Sequence, residues 1–218
     1  MIDSSRFMGI FNPEEHQRLK ISVIGLGAIG SGVSELIARI GLNNISLYDN
    51  DRIETHNISN QLYNFNDISE LKVNSAKIKM TRINETILVN AINERVTKDT
   101  LIISDAIFVC TDNMNARKEI LEAVRKSQAR YLIDGRMGGN VFRVFTVDLT
   151  KPEDLEYYSK TLYSDEQSSQ EACSARSIIY NIFGVTSIMI NQLVKLLKGD
   201  PYNQEVIFDY KTLSLIKK

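Results

Sequence analysis

The sequence predicts an α/β protein built on a Rossmann-like, doubly wound, mostly parallel sheet, with antiparallel strands toward the C-terminus. Three observations predict it. The β-branched apolar run Ile21 to Ile24 ends in the turn Gly25-x-Gly27-x-x-Gly30. Short apolar runs then alternate with segments of helical period as far as Asp134, the pattern of a parallel sheet with crossover helices. From Asn140 to Leu149 the residues alternate in the way of an antiparallel or edge strand.

Residues 1 to 20 are mixed and polar, and Pro13-Glu14-Glu15 opens a short helix reaching Leu19. Arg6, beside Phe7, reads on its own as a surface charge. The first strand is Ile21 to Gly25 and the first helix Ala28 to Ile40, closed by Gly41 as a C-cap signal. Gly25 permits the turn, Gly27 lets backbone approach a phosphate, and Gly30 lets helix and strand pack closely. The helix N-terminus then faces an anion with free N–H groups and a partial positive charge. The second strand, Ile45 to Asp49, carries an acid at its carboxyl end, where it can accept from a ribose hydroxyl. A glycine turn alone also arises from packing. Its placement between strand and helix, with Asp49 beyond, favours a nucleotide.

Asp51 to Gln61 is a polar segment rich in amides, either a plain connection or a loop that carries binding groups; His56 within it reads as a solvated or capping residue. Ser69 to Ile83 has helical spacing at Leu71, Ala76, Met80 and Ile83, and its lysines, Lys72, Lys77 and Lys79, read by themselves as a solvated face. Thr86 to Ala91 suits a strand. Ala106 to Asn113 reads as a short buried strand, with Cys110 inside it as a small core residue and the acid Asp112 and the amide Asn113 at its carboxyl end. A helix from Asn113 to about Gln128, a strand from Arg130 to Asp134 and a flexible turn over Gly135 to Gly139 follow. Residues 151 to 172, with Tyr157, Tyr158, Ser168 and Ser169, show no clear period and predict a mobile loop or crossover. The long apolar helix Ile178 to Leu197 stops at Gly199 and Pro201; Asn181, Asn191, Gln192 and Lys195 mark it as a core or dimer helix. Glu205 to Tyr210 and Leu213 to Ile216 suit a hairpin.

With 218 residues the chain is expected to form one domain spanning 1 to 218. Hydrophobic content of 43% and charged content of 24% are those of an ordinary globular protein. A net charge of −1 argues against a protein that binds nucleic acid or membrane mainly by electrostatics. Two cysteines, Cys110 and Cys173, exclude a disulfide scaffold and a cysteine-built zinc site and favour a reducing compartment. No apolar run reaches the roughly 20 residues of a membrane span, and Met1 to Arg6 does not read as a signal peptide, so the cytoplasm is the expected location.

Taken together, the glycine turn, Asp49-x-Asp51, Asn57, Gln61, Lys72 and Asp112-Asn113 resemble the ubiquitin-activating-enzyme-like adenylyltransferases, the ThiF/MoeB/HesA family. The resemblance runs from Arg6 to Phe208-Asp209. It implies an enzyme that binds ATP with Mg²⁺, adenylates the C-terminal glycine carboxylate of a ubiquitin-like or sulfur-carrier protein, releases pyrophosphate and works as a homodimer. Residue by residue, it implies that Asp49 holds the ribose, Asn57 contacts the phosphates, Lys72 neutralises phosphate charge and Asp112 holds the metal. Gly25, Gly27, Gly30, Asp51, Gln61 and Asn113 complete the nucleotide site. Arg6 corresponds to an N-terminal arginine that reaches the ATP of the other protomer, and Arg117 to an arginine with a structural role.

Three departures from the family pattern stand out. Its Asn-x-x-Arg-Gln is Asn57-Ile-Ser-Asn60-Gln61 here, so one phosphate-facing arginine is absent unless Arg6, Arg136 or another cation replaces it. The Cys-x-x-Cys pairs that hold zinc in many members are missing, and so are the additional domains of some relatives. Cys173 falls where several members carry a cysteine that forms a thioester or persulfide. It is either such an acceptor, activated by a helix N-terminus or Arg176, or a small residue packed at a helix start. Two alternatives to an active adenylyltransferase follow: a weak or inactive scaffold that pairs with an active homologue, motivated by Asn60, and an NAD-dependent oxidoreductase, which fits the glycines and Asp49 but leaves Asn57, Lys72 and Asp112 unexplained.

Overall fold

Residues 2–163 and 178–218 are described by a computed structural model. One eight-stranded sheet runs through them in the order β3-β2-β1-β4-β5-β6-β7-β8. The strands are β1 (Lys20–Ile24), β2 (Asn44–Tyr48), β3 (Leu88–Ile92), β4 (Ala106–Val109), β5 (Tyr131–Gly138), β6 (Val141–Asp148), β7 (Glu205–Asp209) and β8 (Ser214–Lys217). Pairs from β3 through β5 are parallel and those from β5 to β8 antiparallel. The chain winds outward from β1 to β3 and then returns to place β4 on the other side of β1. That reversal leaves a crevice at the carboxyl ends of β1 and β4, where open α/β sheets bind ligands.

The inner strands are apolar on both faces because both faces are covered. Ile21 and Val23 of β1, Phe108 of β4 and Ile133 of β5 face one core, with α1 (Ala28–Arg39), α2 (Lys72–Ile83) and α5 (Ile179–Lys198). Ile24, Ile107, Val109 and Leu132 face the other, with α3 (Met114–Arg125) and α4 (Pro152–Lys160). Ile21, Val23, Ile107, Phe108, Ile133 and Leu132 are fully buried, and burying each such side chain is worth about 1.5–3 kcal/mol relative to exposure. The long helix α5 crosses this core through Val185, Met189 and Leu193, so it is a core helix.

Several sequence expectations are corrected. Gly135 to Gly138 do not form a turn but continue β5; a Cβ on Gly135 would lie 2.4 Å from Met189 Sδ, so this glycine lets α5 approach the sheet. The turn is confined to Gly139 and Asn140, between β5 and β6. β6 is antiparallel but interior, flanked by β5 and β7. Pro152–Lys160 is helix rather than loop: Pro152 starts it, acids occupy its first turn, and Asp154 and Tyr158 are buried on one face. Residues 164–172 of that expected loop, with Ser168 and Ser169, lie outside the described residues, as do Cys173 and Arg176 beyond it. The helix expected from Ser69 begins at Lys72.

Ser69 is left out of that helix because its φ is +75°, a left-handed conformation that costs an L-residue about 1–2 kcal/mol. Its N–H donates to Ile53 and its carbonyl accepts from Arg52, which fixes the turn. Ser69→Gly removes the side-chain clash but loosens the unfolded chain, and is expected to stabilise the protein by about 0.5–1 kcal/mol in urea unfolding.

Glu205 on β7 is fully buried and accepts from Tyr157, Lys218 and Arg143. Burial alone would raise its pKa, but these three donors outweigh it and hold the carboxyl down at about 2. The folded value lies below the unfolded one, so the stabilisation is complete above about pH 4.5 and is lost as pH falls toward 2. Arg143 and Lys218 are about half exposed, so screening limits the loss to about 1–3 kcal/mol. Acid unfolding of Glu205→Gln is expected to be flatter over that window.

Candidate nucleotide site

The glycine turn is built by three backbone restraints. Gly25 has φ +87°, and its N–H donates to the Tyr48 carbonyl at 2.8 Å. A Cβ on Gly25 would lie 2.9 Å from the Cys110 carbonyl, so the turn is pressed against the chain leaving β4. Leu26 donates its N–H to Asp49 Oδ2 at 2.6 Å, and its carbonyl accepts from the Tyr63 hydroxyl at 2.8 Å. Gly30, in the first turn of α1, has its Cβ direction filled by the Gly25 carbonyl oxygen at 1.8 Å. Gly27 is the N-cap of α1 with no side chain capping it, and a Cβ there would meet nothing within 4 Å. The first turn of α1 therefore opens onto free space beside the turn, where its N–H groups and dipole favour an anion.

Asp49 closes the β2 side. Its Oδ1 accepts from Asp51 N–H at 2.8 Å, and each carboxylate oxygen keeps a lone pair for a further donor. Burial raises its pKa above the ordinary carboxylate value, against the pull of the Leu26 and Asp51 N–H groups and the Lys72 ammonium. Lys72, at the start of α2, is held twice by Asp51: its N–H donates to the Asp51 carbonyl at 3.0 Å and its Nζ lies 2.8 Å from Asp51 Oδ2. The Lys72 side chain is 8% exposed and that of Asp51 60%, so the ammonium is fixed at the rim with one face of its ion pair in solvent.

The amide segment folds over α1. Asn57 is buried, and its Oδ1 closes a 3-10 turn (Thr55–Asn57) by accepting from Glu54 N–H. Its carbonyl accepts the Gln61 N–H. Leu62 N–H donates to Ser31 Oγ in the first turn of α1, and Lys79 Nζ donates to the Leu62 carbonyl. His56 is exposed. Gln61 Oε1 is buried without a hydrogen-bond partner, and so is Thr111 Oγ1 on the β4 side. A buried unpaired oxygen costs about 1–3 kcal/mol, which a polar ligand would relieve.

On the β4 side, Asp112 is exposed and its Oδ1 accepts from Asn113 Nδ2 at 3.1 Å. Asn113 is the N-cap of α3, its Oδ1 accepting from Ala116 N–H at 2.8 Å. Cys110 is a buried core residue, its thiol pushed up by burial and by Asp134. Among the described residues no group of three or more His, Cys, Asp or Glu side chains could hold a metal; a Mg²⁺ here would take Asp112 together with substrate oxygens, the usual arrangement for that ion with phosphates.

Sequence-predicted residues thus divide. Gly25, Gly27, Gly30, Asp49, Asp51 and Lys72 are tied into one rim, Asn57 and Gln61 sit on the segment folded over α1, and Asp112 and Asn113 follow the chain that touches Gly25. Arg6 is exposed in an N-terminal turn. Arg136 is no substitute for the missing arginine: its Nε is 2.7 Å from Asp134 Oδ2 and both terminal nitrogens donate to Thr161. Sequence reasoning did not single out Thr111, Ser31, Tyr63 or Asp134; an acid inside the apolar run Leu132-Ile133-Asp134 was the one available signal.

Comparison with known proteins is consistent with this geometry. The model of the ThiF family matches residues 6–217. The sulfur carrier protein ThiS adenylyltransferase of Escherichia coli (strain K12) is 27% identical over 201 residues, 88% of this chain and 78% of that protein. Molybdopterin-synthase adenylyltransferase of Haemophilus influenzae is 31% identical over 147 residues, with 64% and 60% covered. For ubiquitin-like modifier-activating enzyme 5 of Caenorhabditis elegans the identity is 27%, over 59% of this chain and 34% of that protein. Of solved structures, PaaA superposes with a TM-score of 0.78 at 18% identity, over 94% of this chain and 74% of that one. E. coli MccB with ATP gives 0.76 at 17%, over 94% and 65%. At such identities the structures speak to the fold alone.

Proposed function

Because the chain belongs to the ThiF family, which matches it over residues 6–217, we propose that it is an ATP-dependent adenylyltransferase acting on a small ubiquitin-like or sulfur-carrier protein that ends in glycine. The observation that carries this reading is the fixed Lys72 ammonium, 2.8 Å from Asp51, on the same rim as the open N-terminus of α1. Two anions must meet in this reaction. The carrier's terminal carboxylate oxygen bonds to the α-phosphorus, the bond from phosphorus to the bridging oxygen breaks, and pyrophosphate leaves with that electron pair. Such a step needs cations and in-line positioning more than a general base. Lys72 offsets phosphate charge, the N–H groups of α1 orient the phosphates, Asp49 accepts from the ribose, and Asn57 and Gln61 hold the phosphate side. Asp112 would hold a Mg²⁺ ion, which when bound neutralises charge on the phosphoryl oxygens.

The remaining parts of the proposal rest on the resemblance. The enzyme is one domain spanning 1–218, a cytoplasmic homodimer in which Arg6 reaches the ATP of the other protomer. Among the described residues no helix is long and apolar enough to cross a membrane. The Cys173 thiolate, in the segment outside the described residues, attacks the acyl carbon, forms a thioester and releases AMP. A thiol-labile carrier conjugate that disappears in Cys173→Ala while exchange persists supports this step; its persistence in the variant removes it.

Exchange of labelled pyrophosphate into ATP tests the reading. Exchange is expected only with a carrier whose C-terminal glycine is free, and a protein that binds ATP without carrier-dependent exchange overturns it. Asn60, in place of the family arginine, favours a second reading, a scaffold that pairs with an active homologue. Tight carrier binding with no acyl-adenylate formed by the purified protein supports that alternative.

A further inference from the structure

Behind the nucleotide rim lies a charged cluster that this scheme does not use. Asp134, fully buried on β5, stands in register with Val109, the last residue of β4, and so beside the chain that runs on to Thr111 and Asp112. Its Oδ1 accepts from Arg117 Nε at 3.1 Å. Its Oδ2 accepts from Arg136 Nε at 2.7 Å and from the Tyr158 hydroxyl at 3.1 Å. Burial raises the Tyr158 pKa, so that hydroxyl stays a donor. Arg117 is buried as well, and its Nη2 donates to the Thr111 carbonyl at 2.5 Å and to the Gly135 carbonyl at 3.3 Å.

Arg117 thus spans from a carboxylate at the centre of the sheet to the residue immediately before Asp112. Its reach is directional: the guanidinium is a rigid fork, and with Nε fixed on Asp134 the Nη2 direction is set. Arg136 is engaged on the opposite oxygen and runs the other way, to Thr161 at the end of α4. One carboxylate therefore serves two branches, and only the Arg117 branch touches the nucleotide rim.

We propose that Asp134 and Arg117 are positioning residues for the metal-nucleotide complex: Asp134 aims Arg117, Arg117 fixes the Thr111 carbonyl, and the Asp112 carboxylate is thereby held where it can ligate the divalent ion. This rests on the adenylation reading above. Groups that orient a ligating residue from behind typically account for about 10–100-fold in metal affinity or activity.

The test uses the full chain and Mn²⁺ as the probe, with free Mn²⁺ read by electron paramagnetic resonance in the presence of a non-hydrolysable ATP analogue; pyrophosphate exchange is titrated with Mg²⁺ in parallel. Arg117→Lys keeps a charge beside Asp134 but loses the fork to Thr111, and is expected to weaken Mn²⁺ binding at least about tenfold and to raise the Mg²⁺ needed for half-maximal exchange. Metal-free analogue binding should change little. Thr161→Val, on the Arg136 branch, is expected to leave Mn²⁺ binding unchanged. Asp134→Asn should follow Arg117→Lys, and if it fails to fold, Arg117→Lys decides alone. Wild-type Mn²⁺ affinity in Arg117→Lys overturns the proposal, as does an equal loss in Thr161→Val, which would mark general loosening. A wild-type protein that binds neither analogue nor Mn²⁺ would instead sink the adenylation reading itself.

Discussion

Lys72→Ala is expected to lower carrier-dependent pyrophosphate exchange by about 10²–10³-fold, the range for removing one preorganised charged or hydrogen-bonding group from a transition-state site. Two features of the ammonium set that expectation. Its nitrogen is held at 2.8 Å by Asp51 and its side chain is almost buried, so no reorganisation is needed as charge accumulates on the phosphoryl oxygens. With Asn60 where the family has an arginine, the site has one fewer cation to share the load. Stability should fall by about 1 kcal/mol or less, because the Asp51 carboxylate left behind is largely exposed. The measurements are exchange kinetics and a thermal melt on the same protein. Exchange within about threefold of wild type, with the melt unchanged, would remove Lys72 from the mechanism. The ATP KM separates ground-state from transition-state loss: a fall in kcat at constant KM marks an interaction made only in the transition state.

Gly30→Ala is expected to be the more damaging change to the molecule as a whole. The added methyl would sit 1.8 Å from the Gly25 carbonyl oxygen, 2.8 Å from its carbon and 3.3 Å from the Cys110 Cβ. Backbone oxygen cannot rotate away as a side chain can. Either α1 moves off β1, opening a core that includes Ile29, Val33 and Ile37, or the turn shifts and loses the hydrogen bonds of Gly25 and Leu26. Overpacking of this kind costs about 1–3 kcal/mol and more where backbone must move. Nucleotide binding should be lost together with at least about 3 kcal/mol of stability, read by calorimetric titration with ATP and by urea unfolding. Gly27→Ala, whose methyl meets nothing in the protein, should leave stability within about 1 kcal/mol and weaken ATP alone. That contrast separates a packing glycine from one that faces the ligand.

The first strand, turn, helix and second strand were readable in the sequence because inner parallel strands are apolar on both faces and the glycines have fixed geometric duties. Their observed limits differ by only about a residue from the expected ones. Helix α4 was hidden: its inward face is built from Asp154 and Tyr158, and a buried acid satisfied by Tyr202 and Gln204 breaks the apolar period that signals a helix. β5 was read too short because Gly135 looks like a turn residue, whereas it is small to admit Met189, some 50 residues away in the chain. Tertiary contact decided both.

In the site, Asp49 was read from its place at the end of the second strand, and Lys72 and Asp112 through the family pattern; Asp49 follows β2 directly, Asp112 lies three residues beyond β4, and Lys72 starts α2. The pattern carried Arg117 only as an arginine with a structural role, and it did not carry the carboxylate that Arg117 shares with Arg136. Asp134, Arg117 and Arg136 come from β5 and α3, and nothing in their spacing reveals that two arginines share one carboxylate. Arg136 illustrates the gap: its charge suggested a stand-in for the absent arginine, while its neighbours commit it to Asp134 and Thr161.

The position of β1 between β2 and β4 has a consequence for biosynthesis. Ile21 pairs with Ala106, so β1 lacks one neighbour until β4 has emerged from the ribosome. A nascent chain that stops before Ala106 carries the glycine turn, Asp49 and Lys72 yet presents an open edge along β1, ready to recruit any extended peptide nearby. Closing that gap joins the two halves of the crevice in the same event that covers the β1 edge, so the ability to take up nucleotide and the loss of that open edge should arise together during translation.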